Sequence, residues 1–268
     1  MLAGGVLAAV VIAALAYFLV IAKDDAPNNM LDPARADELS AASIIGVRDL
    51  PGSGWKLVEA DNFEDDDSDD PPDTPACNAA ESISRPYKDR LDAVRAGRAQ
   101  RKFEVAGNGT NLDRTVELKT VVYKDNKELA DSFDGLRKFI TSDDTLQCLK
   151  DTITESTGGV ATLVSIKRVE PSATVPAEGA AFALDVVFRV SGLTFNQRLE
   201  NYSWPYGNAV AEVDFTGSPN DVTSTLTTDV IAKHKARVEL AGSANPPQPW
   251  ECGPLPESSA RAWAPGRR

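Results

Sequence analysis

Residues 181–216 read AFALDVVFRVSGLTFNQRLENYSWPYGNAVAEVDFT, and this stretch decides the fold. Phe182, Leu184, Val186, Phe188 and Val190 fall on one face of a strand, by the period of two that an extended chain imposes. Ser191-Gly192 turns the chain into a second strand, Thr194–Trp204. Tyr206-Gly207-Asn208 turns it again into a third, Ala209–Thr216. Three strands joined by tight turns form an antiparallel meander, within a strand-rich region that opens near Leu163.

The neighbouring segments supply helices to cover that sheet. Asp113 to Lys124 alternates, with Val116, Leu118 and Val122 on one face and Glu117, Lys119 and Tyr123 on the other. Asp125 then opens a helix with Glu128 as a capping box, and Leu129, Phe133, Leu136 and Ile140 form its apolar stripe. Thr145–Glu155 repeats the pattern with Leu146, Leu149 and Ile153, and Gly158-Gly159 ends it. Ser218, with Pro219 at the first position, is the expected cap of a last helix that buries Val222, Leu226, Val230 and Ile231.

On the N-terminal side, Asp32 and Pro33 open a short helix over Ala34–Ala42, and Lys56–Glu59 is extended. Ala79–Ala96 has helical composition, with a kink or split expected at Pro86. Arg101–Ala106 is a further strand, ending in a Gly107-Asn108-Gly109 turn. The sum is α+β: an antiparallel sheet with helices packed on it, over residues 34–241.

The rest of the chain is organised differently. Leu2 to Ala22 carries no charged side chain and is long enough, at about 1.5 Å per residue, to cross a hydrocarbon core of about 30 Å. Residues 1–22 are therefore expected to be one N-terminal transmembrane helix. A cleaved signal is the alternative, with Val20-Ile21-Ala22 as a weak cleavage site and no basic residue ahead of the run. Residues 23–33 form a polar linker, and 242–268, rich in Pro, Gly and Ser, form a tail expected to be disordered.

Of 268 residues, 40 are acidic and 28 basic, a formal net charge of −12. That balance excludes nucleic acid, which needs a basic face, and disfavours close docking on anionic lipid. No cofactor is implied. The three cysteines are Cys77, Cys148 and Cys252, without CxxC spacing, and one histidine is too few for the usual zinc sites. Cys77 follows an acidic loop and Cys148 sits off its helix's apolar stripe, so a bridge between them suits an oxidising compartment. Cys252 stays free or pairs between chains. The bulk of the chain is thus expected outside the cell membrane.

Candidate sites are few. Asp65, Asp67 and Asp69 have the alternate spacing of a calcium loop, but Asp70 stands where the turn glycine belongs and Ala76 where the bidentate Glu belongs. A solvated loop, at most a weak cation binder, is the expectation. Trp55, Tyr202, Trp204 and Tyr206 are candidates for a ligand groove, with strand-end core positions as the alternative. His234, between Lys233 and Lys235, is expected at the surface. No GxSxG, phosphate-binding glycine loop or HExxH occurs, and a pair drawn from 40 carboxylates has no weight without geometry.

Asp49-Leu50-Pro51-Gly52-Ser53-Gly54-Trp55 resembles the DLP-x-GW opening of a bacterial class of membrane- or lipid-anchored sensor-type domains. An acidic loop with Cys77, a strand ending in Tyr123, a helix carrying Ala130, Phe133 and Leu136, and Cys148 follow in the same order. The extracellular sensor domains of PknH-type Ser/Thr kinases and small actinobacterial lipoproteins belong to that class. The resemblance implies a PsbP-like sandwich, a Cys77–Cys148 bridge and an extracytoplasmic ligand-sensing or envelope role. This chain lacks the class's lipid-bearing cysteine.

The expected function is a membrane-anchored, extracytoplasmic domain that binds a ligand or envelope component without catalysis. An accessory envelope protein docking on another protein is the alternative, and a hydrolase the third. Three observations separate them: an aromatic-lined cavity between sheet and helices, an exposed apolar patch, or a cluster of buried carboxylates with raised pKa.

Overall fold

The computed structural model describes residues 35–61, 72–107, 112–124, 126, 129–156, 161–176 and 178–242. The apolar segment 1–22, the linker 23–33, Asp65, Asp67 and Asp69, the expected caps Asp32, Asp125 and Glu128, the break Gly158-Gly159, and Cys252 lie outside them. So does all of the tail except Gly242. Among the described residues no helix is long and apolar enough to cross a membrane.

In chain order the elements are α1 (Ala36–Ser43), β1 (Lys56–Asp61), α2 (Pro75–Val94), β2 (Arg95–Val105), β3 (Arg114–Tyr123), α3 (Leu129–Thr141), α4 (Asp143–Ser156), β4 (Ala161–Val169), β5 (Ala180–Val190), β6 (Leu193–Tyr206), β7 (Ala209–Gly217) and α5 (Ser224–Ala241). The strands form one antiparallel sheet ordered β1-β2-β3-β7-β6-β5-β4. The expected meander is β5-β6-β7, and β7 joins it to β3 at the sheet's centre. Each outer strand is bulged where it leaves its neighbour's register, at Val58 in β1 and Val164 in β4. Bulges of this kind blunt an edge against pairing with another chain.

Helices cover both faces. On one face α1 and α5 close over Phe103, Val116, Leu118, Val122, Val213 and Phe215. A side chain at Gly97 of β2 would collide with the backbone of Ala36 and Asp37, so glycine there lets α1 lie directly on the strand. On the opposite face α4 buries Leu149 and Ile153 against Phe182, Leu184, Val186 and Phe188, while α3 sets Leu129, Phe133 and Leu136 against Tyr123 and Val210. Helix α2 packs on α3 and α4 and is tied to α4 by a disulfide between Cys77 and Cys148.

Several expectations need correction. Helix α1 begins at Ala36, after Arg35, which makes no side-chain cap. Helix α2 runs unbroken through Pro86 and starts at Pro75, capped by Thr74, whose hydroxyl accepts from the Cys77 N–H. Cys77 therefore stands in a first helical turn, not in a loop. Ser218 does not cap the last helix. It closes a turn in which its hydroxyl donates to Asp221, and Thr223 is the cap. His234 is fully buried: α5 presents it to the core, where its ring meets Trp204 edge-on at 5.5 Å between centroids. Finally, the strand alternation left open what covers the second face of β3: Glu117, Lys119 and Tyr123 are all buried there.

Candidate functional site

The last correction leads to the site. On the face of α2, α3 and α4, strand register places polar side chains in two parallel rows across the centre of the sheet. One row reads Glu59, Lys102, Glu117, Asp214, Asn201 over β1, β2, β3, β7 and β6. The other reads Gln100, Lys119, Glu212, Ser203 over β2, β3, β7 and β6. At the inner end they stop against Phe182 and Ala180 of β5.

Lys119 is the hub. Its Nζ lies 3.0 Å from Glu117, 3.2 Å from Asp214 and 3.5 Å from Glu212. The amide of Asn201 donates to Asp214 at 2.7 Å and to Glu212 at 3.1 Å. At the outer end Gln100 donates to Glu59 at 3.1 Å. Side-chain exposure falls steadily along the way in, from 41% at Glu59 to 19% at Lys102, 10% at Lys119, and 4% at Glu117 and Asp214. The first row thus descends from the β1 edge towards the middle of the sheet, while the second is buried throughout, from Gln100 at 5% to Ser203 at 0%.

Burial sets the electrostatics. It pushes the Glu212 carboxyl well above the usual range against the pull of Lys119, and the charge and hydrogen bond of Asp214 push the same way. Glu117 is also raised by burial, with Lys119 opposing. Burial works to lower the Lys119 ammonium, but Glu117, Asp214 and Glu212 outweigh it and hold the group above its ordinary value. Three carboxyls around one buried cation cannot all ionise cheaply, and burial acts against the charged form of Glu212 most strongly.

The cluster also leaves polar atoms without partners. Gln100 Oε1, Asn201 Oδ1 and Ser203 Oγ are buried in the rows with no hydrogen bond, as are the hydroxyls of Thr115 and Thr216, paired across β3 and β7 beside Glu117 and Asp214. Each such group costs about 1–3 kcal/mol when desolvated. A buried ion cluster is itself weak support for stability, because desolvation offsets the attraction. Unpartnered buried atoms also occur outside the rows, at Thr120, Trp204 and His234 among others.

The sequence-based candidates are placed elsewhere. Tyr202 and Trp204 are fully buried beneath α1 and α5, Trp55 nearly so, and Tyr206 is half-buried. They line the core under those helices. Trp55 donates to the Pro51 carbonyl and carries the Arg114 guanidinium 4.6 Å above its ring. The Tyr202 hydroxyl donates to Glu200, which also holds Ser172 and Arg198, a fully partnered knot that pins the β4–β5 connection. Between α4 and the sheet, the cavity bounded by Phe139, Leu149 and Phe182 has about 10 Å³ of open space, barely one water. No group of His, Cys, Asp or Glu among the described residues is arranged to hold a metal ion. Exposed large apolar residues are scattered singly at Val58, Val164, Leu193 and Leu240.

No protein-family model matches the chain, and no curated protein matches it. Among solved structures, the extracellular domain of PknH from Mycobacterium tuberculosis is similar at 11% identity and a TM-score of 0.40, over 76% of this chain and 97% of that one. A Pseudomonas aeruginosa protein of unknown function follows at 12% identity and a TM-score of 0.19, over 56% of this chain and 83% of that one. Likenesses this weak carry no functional argument.

Proposed function

We propose that this chain is a non-catalytic, extracytoplasmic recognition domain, tethered to the cell membrane by residues 1–22, with the polar double row as its binding surface. The observation that carries the reading is the descent from the β1 edge into buried charge and unpartnered oxygen atoms. The Cys77–Cys148 bridge supports an oxidising compartment. The docking alternative wants a contiguous apolar patch, and the scattered apolar residues on the described surface do not make one.

The hydrolase reading draws on one observation, the neighbouring carboxyls of Glu212 and Asp214, with Glu212 pushed up by burial. Two features weigh against it. Carboxyls bonded to one another leave no gap for a glycosidic bond, which needs about 5 Å or more between them. Lys119 also holds both in an ion cluster, away from any substrate water.

Location and recognition are tested together. Non-permeant protease added to intact cells should cut the domain, and alkylation should find no free thiol at Cys77 or Cys148. Full protection, with both thiols reactive, contradicts the extracytoplasmic reading. Envelope extract should raise the melting temperature of the full chain and leave an Asn201→Leu variant unmoved; an equal rise in both places the binding elsewhere.

A further inference from the structure

Independently of the polar rows, we propose that the N-terminal half of α2, residues 75–85, is a redox-released strap. The Cys77–Cys148 bridge clips it to α4, and reduction by a dithiol lets it swing away about Pro86. The argument starts with how thinly this half is otherwise packed. Its buried residues are Cys77, Ala80 and Ser84, at 1%, 0% and 7% exposure. Two of these are small, and Ala80 with half-buried Ile83 brings little apolar area to the seam against Phe139 and Ile140 of α3. The Thr74 hydroxyl, just ahead of the helix, adds a tie to α4 by donating to Asp151 at 2.8 Å. The bridge joins positions 71 apart in sequence, a separation at which a cross-link gives one of its larger stabilisations.

The C-terminal half is held by packing. Tyr87 lays its ring on α3 at Gly135, where an added Cβ would come within 2.3 Å of it. The Arg90 guanidinium lies 5.4 Å from the centre of the same ring. Leu91 and Val94 join the cluster of Tyr123, Leu129 and Phe133, and at Arg95 the chain passes straight into β2. Pro86 stands between the halves. The helix is continuous through it, but Pro86 has no N–H for the Ser82 carbonyl and its ring crowds that oxygen. The helix is thus weakest where the clipped half meets the packed half, which is the place for a hinge.

Both cysteines are sealed, at 1% and 6% exposure, so a dithiol reaches them only when the strap lifts. One thiolate of the dithiol then attacks a bridge sulfur, forming a mixed disulfide and freeing the other cysteine. Its second thiolate displaces the first. Two electrons have passed to the bridge, Cys77 and Cys148 are left as thiols, and the dithiol has become its own disulfide. With the clip gone, Phe139, Ile140 and the Cys148 thiol are uncovered. An apolar surface beside a thiol is then presented only by the reduced protein, and reoxidation closes it.

Hydrogen exchange of the full chain in detergent micelles, read by mass spectrometry before and after complete reduction with dithiothreitol, tests the strap. Amide protection over 79–85 should fall at least about tenfold on reduction, while 88–94 and β5 to β7 change by less than about twofold. Pro86→Ala restores the missing N–H, so in the reduced variant the fall over 79–85 should shrink to about threefold or less. Unchanged protection over 79–85, a fall equal along all of α2, or a loss throughout the domain each overturns the strap. So does a bridge that dithiothreitol reduces only in denaturant. A fall that Pro86→Ala leaves as large overturns the hinge, and with it the swing.

Discussion

The two faces of strands β3 and β7 are equally buried and built on opposite principles. Under α1 and α5 lie Val116, Leu118, Val213 and Phe215, all at or below 1% exposure. On the reverse, at the residues between them, lie Glu117, Lys119, Glu212 and Asp214, at 3–8%. The first face does what a core is expected to do: it removes apolar area from water at roughly 25 cal/mol per Å². The second returns little net stability, because each buried charge carries a desolvation cost of several kcal/mol that its partners only offset. The two faces should therefore respond differently to substitution and to pH.

The largest predicted effect breaks the apolar face. Trp204→Ala opens a cavity beneath α5 and removes the ring against which His234 packs, at a cost of about 4 kcal/mol in urea unfolding, independent of pH above about 7, where His234 is uncharged folded or unfolded. A loss under about 1 kcal/mol would mean that face is loosely packed.

Lys119→Met attacks the other face at its hub. Three carboxyls are then left without their buried counter-charge, costing about 3 kcal/mol at neutral pH. Here the loss should shrink on acidification, as the carboxyls take up protons. A pH-independent loss would make Lys119 a packing residue like Trp204.

The third effect sharpens the contrast from between the faces. Burial lowers His234 to about 4, and its Nε2 lies 3.4 Å from the Lys119 carbonyl. A depressed base stabilises the fold above its unfolded pKa near 6.5 and loses that contribution as pH falls towards 4. The size is about 3 kcal/mol. His234→Gln should flatten this part of the pH–stability curve; an unchanged slope would assign it to the carboxyls.

The contrast between faces also marks how far the sequence could be read. Phe182 to Val190 alternate against short turns, so the meander and its neighbour β3 were legible from spacing alone. Period two says which residues share a face; it says nothing about what lies above it. Glu117 and Lys119 therefore read only as the opposite face of the strand, with nothing to say whether it is covered. Only the register, which brings Lys119 opposite Glu212 and Glu117 opposite Asp214, shows a cluster.

His234 misleads for a related reason. Its lysine neighbours sit about 100° away around the helix and carry no information on where it points. The start of α2 was readable after all, since Thr74-Pro75 is a cap followed by an N1 proline, but it stands directly behind the acidic run that drew the reading. The aromatic candidates Tyr202 and Trp204 were legible as strand residues, and their burial as core.

The central claim is that the polar double row is there for recognition and not for stability. Its most direct test is urea unfolding of one variant carrying Glu117→Leu, Lys119→Met, Glu212→Leu, Asp214→Leu and Asn201→Leu together, which removes the cluster without orphaning a partner. The account predicts a folded domain as stable as the parent or more so, by up to about 4 kcal/mol. A loss of several kcal/mol would contradict it, and make the charged face a structural element of the fold.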